Sequence, residues 1–140
     1  GLRLAYKYLQ VQSIYNNQMQ QQSMIPKHRI LLTSAWASLN KRWQADVTAN
    51  LVGSMRMPQL ASMQSYSPWY PYVFGQVSYQ WKHWKIYLGV ENLLNYKQPN
   101  PIRYADQPQH PDFDATMVWG PITGINIYGG FTYSLKQKKS

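Results

Sequence analysis

Strict alternation of apolar and polar residues narrows the folds open to this chain more than anything else in it. Over residues 72–81, Val73, Gly75, Val77, Tyr79 and Trp81 fall on one side, and Phe74, Gln76, Ser78 and Gln80 on the other. After Lys82-His83 the pattern resumes, with Ile86, Leu88 and Val90 set against Tyr87, Gly89 and Glu91. A period of two puts successive side chains on opposite faces of a strand, and two such runs joined by a tight polar turn make a hairpin. One face is broad, apolar and ends in tryptophans beside the turn. The other carries Gln, Ser and Glu. A wall with lipid on one side and a watery lumen on the other has this distribution.

The same signal recurs along the chain. Residues 1–13 open with Leu2, Leu4, Tyr6 and Tyr8 against Arg3, Ala5 and Lys7, and the phase blurs after Tyr8, where a bulge would account for Leu9 and Val11. The Gln-rich stretch 14–27 reads as a loop. Residues 28–40 read as a second strand of ambiguous phase, because Leu31 and Leu32 are both apolar. Asn40-Lys41 forms a tight turn. Residues 42–56 alternate cleanly, with Trp43, Ala45, Val47, Ala49 and Leu51 against Gln44, Asp46, Thr48 and Asn50. After the central hairpin, residues 97–123 hold most of the prolines, which cannot donate to a sheet ladder. A last strand is expected over 124–135, with Ile125, Ile127, Phe131, Tyr133 and Leu135 outward. The lysine-rich tail 136–140 is expected to fray.

These segments predict an all-β chain: an antiparallel up-and-down meander of about six strands. Its connections alternate long (14–27), short (40–42), long (56–67), short (82–84) and long (97–123). Short turns on one side and long loops on the other are the layout of an outer-membrane barrel. Single-chain bacterial barrels start at eight strands, so six imply part of a larger one. Composition agrees. Charged residues are 14%, against about 25% in soluble domains, and Tyr (12) and Trp (6) outnumber Phe (3). Tyr and Trp have apolar bodies and polar tips that suit membrane interfaces. Mean hydropathy is −0.51 and no run approaches a transmembrane helix. With no cysteine, a disulfide framework or thiolate site is excluded. The chain opens at Gly1 with neither an initiator Met nor a signal segment, the expectation for a processed protein or a piece of a longer one.

A net charge of +9 invites a nucleic-acid partner. The positions argue against it. Lys41, Arg42, Lys82, His83 and Lys85 sit at the short turns, and Lys136, Lys138 and Lys139 in the tail, which suits a membrane boundary. The alternative reading is a soluble β-barrel or sandwich binding RNA or single-stranded DNA through basic and aromatic residues. A third is a structural outer-membrane module that completes a barrel with other chains.

The sequence also resembles a family. Y-L-G-V-E-N-L-L-N-Y at 87–96, F-D at 113–114, W-G-P-I at 119–122 and G-I-N-I-Y-G-G-F at 124–131 resemble the C-terminus of TonB-dependent outer-membrane receptors. P-K-H-R at 26–29 and Y-S-P at 66–68 look like the preceding strands of the same family, so the likeness spans essentially the whole chain. The resemblance implies residues 1–135 as the last strands of a plugged 22-stranded barrel, followed by a basic tail at 136–140. It implies the outer membrane of a Gram-negative bacterium. It also implies energised uptake of a scarce solute: an iron–siderophore complex, haem, cobalamin or an oligosaccharide. TonB would act through an N-terminal plug absent from this chain, and a surface lipoprotein is a partner in the glycan-importing branch. The family's last strand ends near an aromatic. Here Phe131 and Tyr133 are followed by Leu135 and lysines.

No enzyme is expected, since no nucleophile–base pair is evident. No cofactor is expected either. His110, Asp112 and Asp114 could be metal ligands, but their loop reads better as solvated turns with Asp accepting hydrogen bonds. The expected substrate-facing residues are Arg103, Tyr104, Asp106 and Trp119 in the longest loop, with Tyr66 and Trp69 at a strand's outer end. For the cluster Tyr66, Trp69, Tyr70 and Tyr72, an aromatic girdle is the plainer reading and stacking on a ligand the sharper one.

Overall fold

The computed structural model describes residues 1–15, 17–58 and 66–135, and the basic tail lies outside them. It is all-β. Six strands form one antiparallel sheet: β1 (Leu2–Tyr8), β4 (His28–Ala37), β5 (Trp43–Val52), β6 (Tyr70–Trp81), β7 (Trp84–Glu91) and β8 (Asn126–Tyr133), neighbours in that order. Two short strands, β2 (Gln12–Tyr15) and β3 (Gln18–Gln21), pair only with each other.

That small hairpin corrects the reading of residues 9–27 as a bulge and a loop. The blur after Tyr8 marks the end of β1, and a new element starts three residues beyond Leu9. Asn17, at φ 63, makes its turn. Both faces of β2 and β3 carry polar residues, so no apolar alternation announces them.

Register settles the two ambiguous phases. Tyr8, Tyr6, Leu4 and Leu2 stand opposite His28, Ile30, Leu32 and Ser34. Ile30, Leu32, Ser34 and Trp36 stand opposite Leu51, Ala49, Val47 and Ala45. The row continues through Val73, Gly75, Val77 and Tyr79 on β6 and Val90, Leu88 and Ile86 on β7 to Ile127, Gly129 and Phe131 on β8. One face of the sheet is therefore apolar from edge to edge. The other carries Arg3, Lys7, Thr33, Gln44, Asp46, Thr48, Asn50, Gln76, Ser78 and Glu91.

Among the described residues no second layer covers the apolar face, and loop residues cover the polar face only at one end. On the apolar face Leu4 is 69% exposed, Leu88 56%, Ile127 68% and Phe131 68%. Soluble folds bury such a face against another layer. The chain exposes 10636 Å², whereas a compact monomer of 16.4 kDa exposes about 7,500 Å². Among the described residues the buried apolar side chains form a cluster at one end only: Val52, Met55, Met57, Tyr70 and Met117, joined by Met24, Tyr96 and Trp119.

The two ends differ because the connections differ. At one end lie a five-residue turn, 38–42, and a two-residue turn, Lys82-His83. Lys41 and Lys82 take positive φ there, as tight reversals between strands require. At the other end the three long connections meet. Pro26 bridges Met55, the Met24 amide donates to the Arg56 carbonyl (2.9 Å), and Tyr70 Oη donates to the Trp119 carbonyl (3.1 Å). Gly1 and Tyr133 both lie at the turn end.

Two Tyr–Gly pairs fix the register of the last strand. Tyr128 stands opposite Gly89, and Tyr87 opposite Gly130. A Cβ on Gly89 would come within 2.2 Å of the Tyr128 ring, and one on Gly130 within 2.5 Å of the Tyr87 hydroxyl. Each ring covers a backbone that only glycine leaves open.

Candidate ligand cleft at the loop end

Where the last loop folds back over the polar face, it leaves a cleft of about 510 Å³. Its floor is sheet: Arg29 on β4, Asn50 and Val52 on β5, and Tyr70 and Tyr72 on β6. Its wall is residues 118–123, including Trp119 and Thr123. Among the described residues no carboxylate lines it. Arg29 is exposed and supplies donors. The Asn50 Oδ1 atom is buried and accepts no hydrogen bond among the described residues. Tyr72 and Trp119 supply partly exposed rings, and Tyr70 lines the cleft as a buried ring stacked on Tyr96. A cation and two partly exposed rings can hold an anionic solute that carries rings.

Two buried amides hold the wall. Asn92, 2% exposed, donates through Nδ2 to the carbonyls of Tyr96 (2.8 Å) and Thr123 (2.9 Å), and its Oδ1 accepts from the Tyr96 amide (3.0 Å). It sits at φ 51, in the left-handed region that Asn tolerates. Gln98, 5% exposed, donates to the Met117 carbonyl (2.7 Å) and accepts from the amides of Trp119 (2.8 Å) and Gly120 (3.0 Å). The Tyr96 ring stacks on Tyr70 at 5.3 Å, and burial pushes the Tyr96 hydroxyl pKa above its ordinary value.

The six residues expected to face a substrate fall in four places. Trp119 lines the cleft. Arg103, Tyr104 and Asp106 lie in a small reversal closed by the Arg103 amide on the Asp114 carbonyl (2.9 Å), beside a hollow of about 340 Å³. There Tyr104 stacks on His110 at 3.7 Å, and the Arg103 guanidinium lies 5.6 Å from the Tyr104 ring. Tyr66 bridges Arg56 and is exposed. Trp69 stacks on His28 at 5.8 Å, on the apolar side.

The tyrosine–tryptophan cluster thus divides between faces. Trp69 joins His28, Tyr6 and Tyr8 as an aromatic belt at the loop end of the apolar face. Tyr70 and Tyr72 face the cleft. Arg29 and Asn50 were not singled out from sequence, although Asn50 lies on the polar phase that alternation assigns it.

In the HPDFD loop, Asp114 Oδ1 accepts from the Thr116 amide (2.7 Å) and hydroxyl (2.6 Å). These bonds hold its carboxyl pKa below the usual carboxylate range, with nearby Arg103 adding a smaller pull. Among the described residues no three His, Cys, Asp or Glu side chains gather as metal ligands. No known family model, curated protein or solved structure matches the chain.

Proposed function

We propose that this chain is the C-terminal wall section of a larger transmembrane β-barrel, a TonB-dependent outer-membrane receptor. The whole receptor captures a scarce solute and imports it with energy delivered through TonB. This section supplies wall, lumen lining and outer loops, and performs no catalysis. The observation that carries the reading is the uncovered apolar face, continuous across six strands and bounded at both ends by aromatic rings. A ten-residue strand such as β5 is about 33 Å long and, tilted near 45°, rises about 23 Å, close to the ~25 Å apolar band of such barrels. The open edges of β1 and β8 support the same reading, since a barrel leaves none. On this reading the cleft faces the lumen at its outer mouth, where a siderophore, haem, cobalamin or an oligosaccharide would first be held.

The test is made on the full-length protein that carries this chain, expressed in a Gram-negative host. The expected result is recovery in the outer membrane as a heat-modifiable band, with solute accumulation that stops when the proton gradient is collapsed. Recovery as a soluble protein with salt-sensitive oligonucleotide affinity would contradict it and favour the nucleic-acid alternative.

A further inference from the structure

The turn end carries a feature that solute uptake does not require. Turns 38–42 and 82–83 lie side by side, tied by the Gln80 amide donating to the Arg42 carbonyl (2.7 Å). Lys41, Arg42 and Lys82 project there, all exposed. None of the chain's five Asp and Glu residues lies in either turn: Asp46 and Glu91 are on the strands and the other three in the last loop. The chain also leaves β8 at this end, and the sequence beyond carries Lys136, Lys138 and Lys139.

Directly above these cations, on the apolar face, is a belt of large rings. Trp43 packs on Tyr79 at 4.6 Å and Trp84 on Tyr133 at 4.8 Å, and Trp36 and Trp81 are more than half exposed. Lys82 Nζ lies 5.2 Å from the Trp81 ring centre, so one charge sits at the level of the belt. The loop end has cations too, but it also holds Glu91, Asp106, Asp112 and Asp114 and is not single-signed.

We infer that the turn end is a docking surface for anionic glycerophospholipids of the leaflet it faces, with headgroup phosphates on Lys41, Arg42 and Lys82 and acyl chains along the tryptophans. The inference rests on the wall reading proposed above. Three layers match three parts of one lipid: cations to phosphate, indoles to the glycerol region, and aliphatic residues such as Leu88 to the chains. A soluble polyanion would find the cations but would have no use for exposed indoles aligned with an aliphatic band.

The test reconstitutes the full-length protein in phosphatidylcholine vesicles containing about one-tenth phosphatidylglycerol, with brominated chains on either lipid in turn. Bromine quenches an indole only near contact. Brominated phosphatidylglycerol should quench severalfold more than its share of the lipid, since each nearby cation favours an anionic headgroup by roughly fivefold. The excess should fall with salt and vanish in the Lys41→Gln/Arg42→Gln/Lys82→Gln variant, but persist in Lys97→Gln at the other end. Quenching by both lipids in proportion to their amounts would overturn this inference and leave the wall intact. Absence of quenching by either lipid would overturn both.

Discussion

The two ends of the sheet are built on opposite terms. At the loop end three connections wrap over one another, bury Val52, Met55, Met57 and Met117, and are pinned by Asn92 and Gln98. At the turn end the chain reverses in five residues or two and buries no apolar side chain among those described. The same strands run through both. The difference shows that the strands contribute to the core only at their loop-end termini, through Val52 and Tyr70. Loop packing stabilises one end, while the middle and the turn end rely on hydrogen-bonded ladders and on whatever solvates an aliphatic face. In water that face is a liability. Against hydrocarbon it would cost nothing, and on the proposed wall reading the aromatic belts would mark where the hydrocarbon stops.

The largest effect should come from placing a charge mid-face. Leu88→Arg or Ile127→Arg should destabilise the membrane-inserted protein by about 2–4 kcal/mol, whereas Gln76→Arg on the opposite face should cost under about 1 kcal/mol. Denaturant titration in detergent or bilayer reads the difference. Equal costs on both faces would erase the distinction.

The loop end breaks at its amides. Asn92→Ala leaves two carbonyls and one amide without their partner, a loss of about 2–3 kcal/mol that should expose residues 97–123 to protease first. Unfolding of the strands together with the loop would mean that the two ends are not separable. Gly89→Ala should cost about 1–3 kcal/mol by forcing Tyr128 off β7, and Tyr128→Ala in the same chain should recover part of it. The absence of recovery would deny the ring–glycine pairing its role in register.

The smallest effect is set by pH. The Asp114 carboxyl has a lowered pKa in the folded loop, so its contribution is fully present above the unfolded value and is lost as pH falls through the lowered one. Amide exchange at Thr116 should therefore quicken only in acid below the ordinary carboxylate range. Thr116→Val should reduce that dependence.

Alternation is legible in β5, β6 and β7 because no described residue covers one face, so the two faces of each strand meet different surroundings. It fails where that logic does not hold. Leu31, on the polar face beside Leu32, blurs β4, and the Gln-rich β2–β3 hairpin has no apolar face to betray it. The cleft was half legible. Trp119, Tyr70 and Tyr72 stand out as large rings, yet Trp69 shares their stretch and not their face. Arg29 and Asn50 are ordinary wall residues until residues 118–123 fold over them. Asn92 and Gln98 act on carbonyls 31 and 19 residues away, a relation no local pattern encodes.

Whether one face of this sheet meets lipid and the other water can be read residue by residue with spin labels along β5 and β8 of the full-length protein in a bilayer. Labels at Val47, Ala49 and Ile127 should be relaxed by oxygen, which concentrates in hydrocarbon, and labels at Thr48, Asn50 and Asn126 by a water-soluble nickel chelate. The two responses should alternate with a period of two. If all six positions respond weakly to both reagents, as in a packed protein interior, or all respond to nickel, the wall does not exist and the account built on it is wrong.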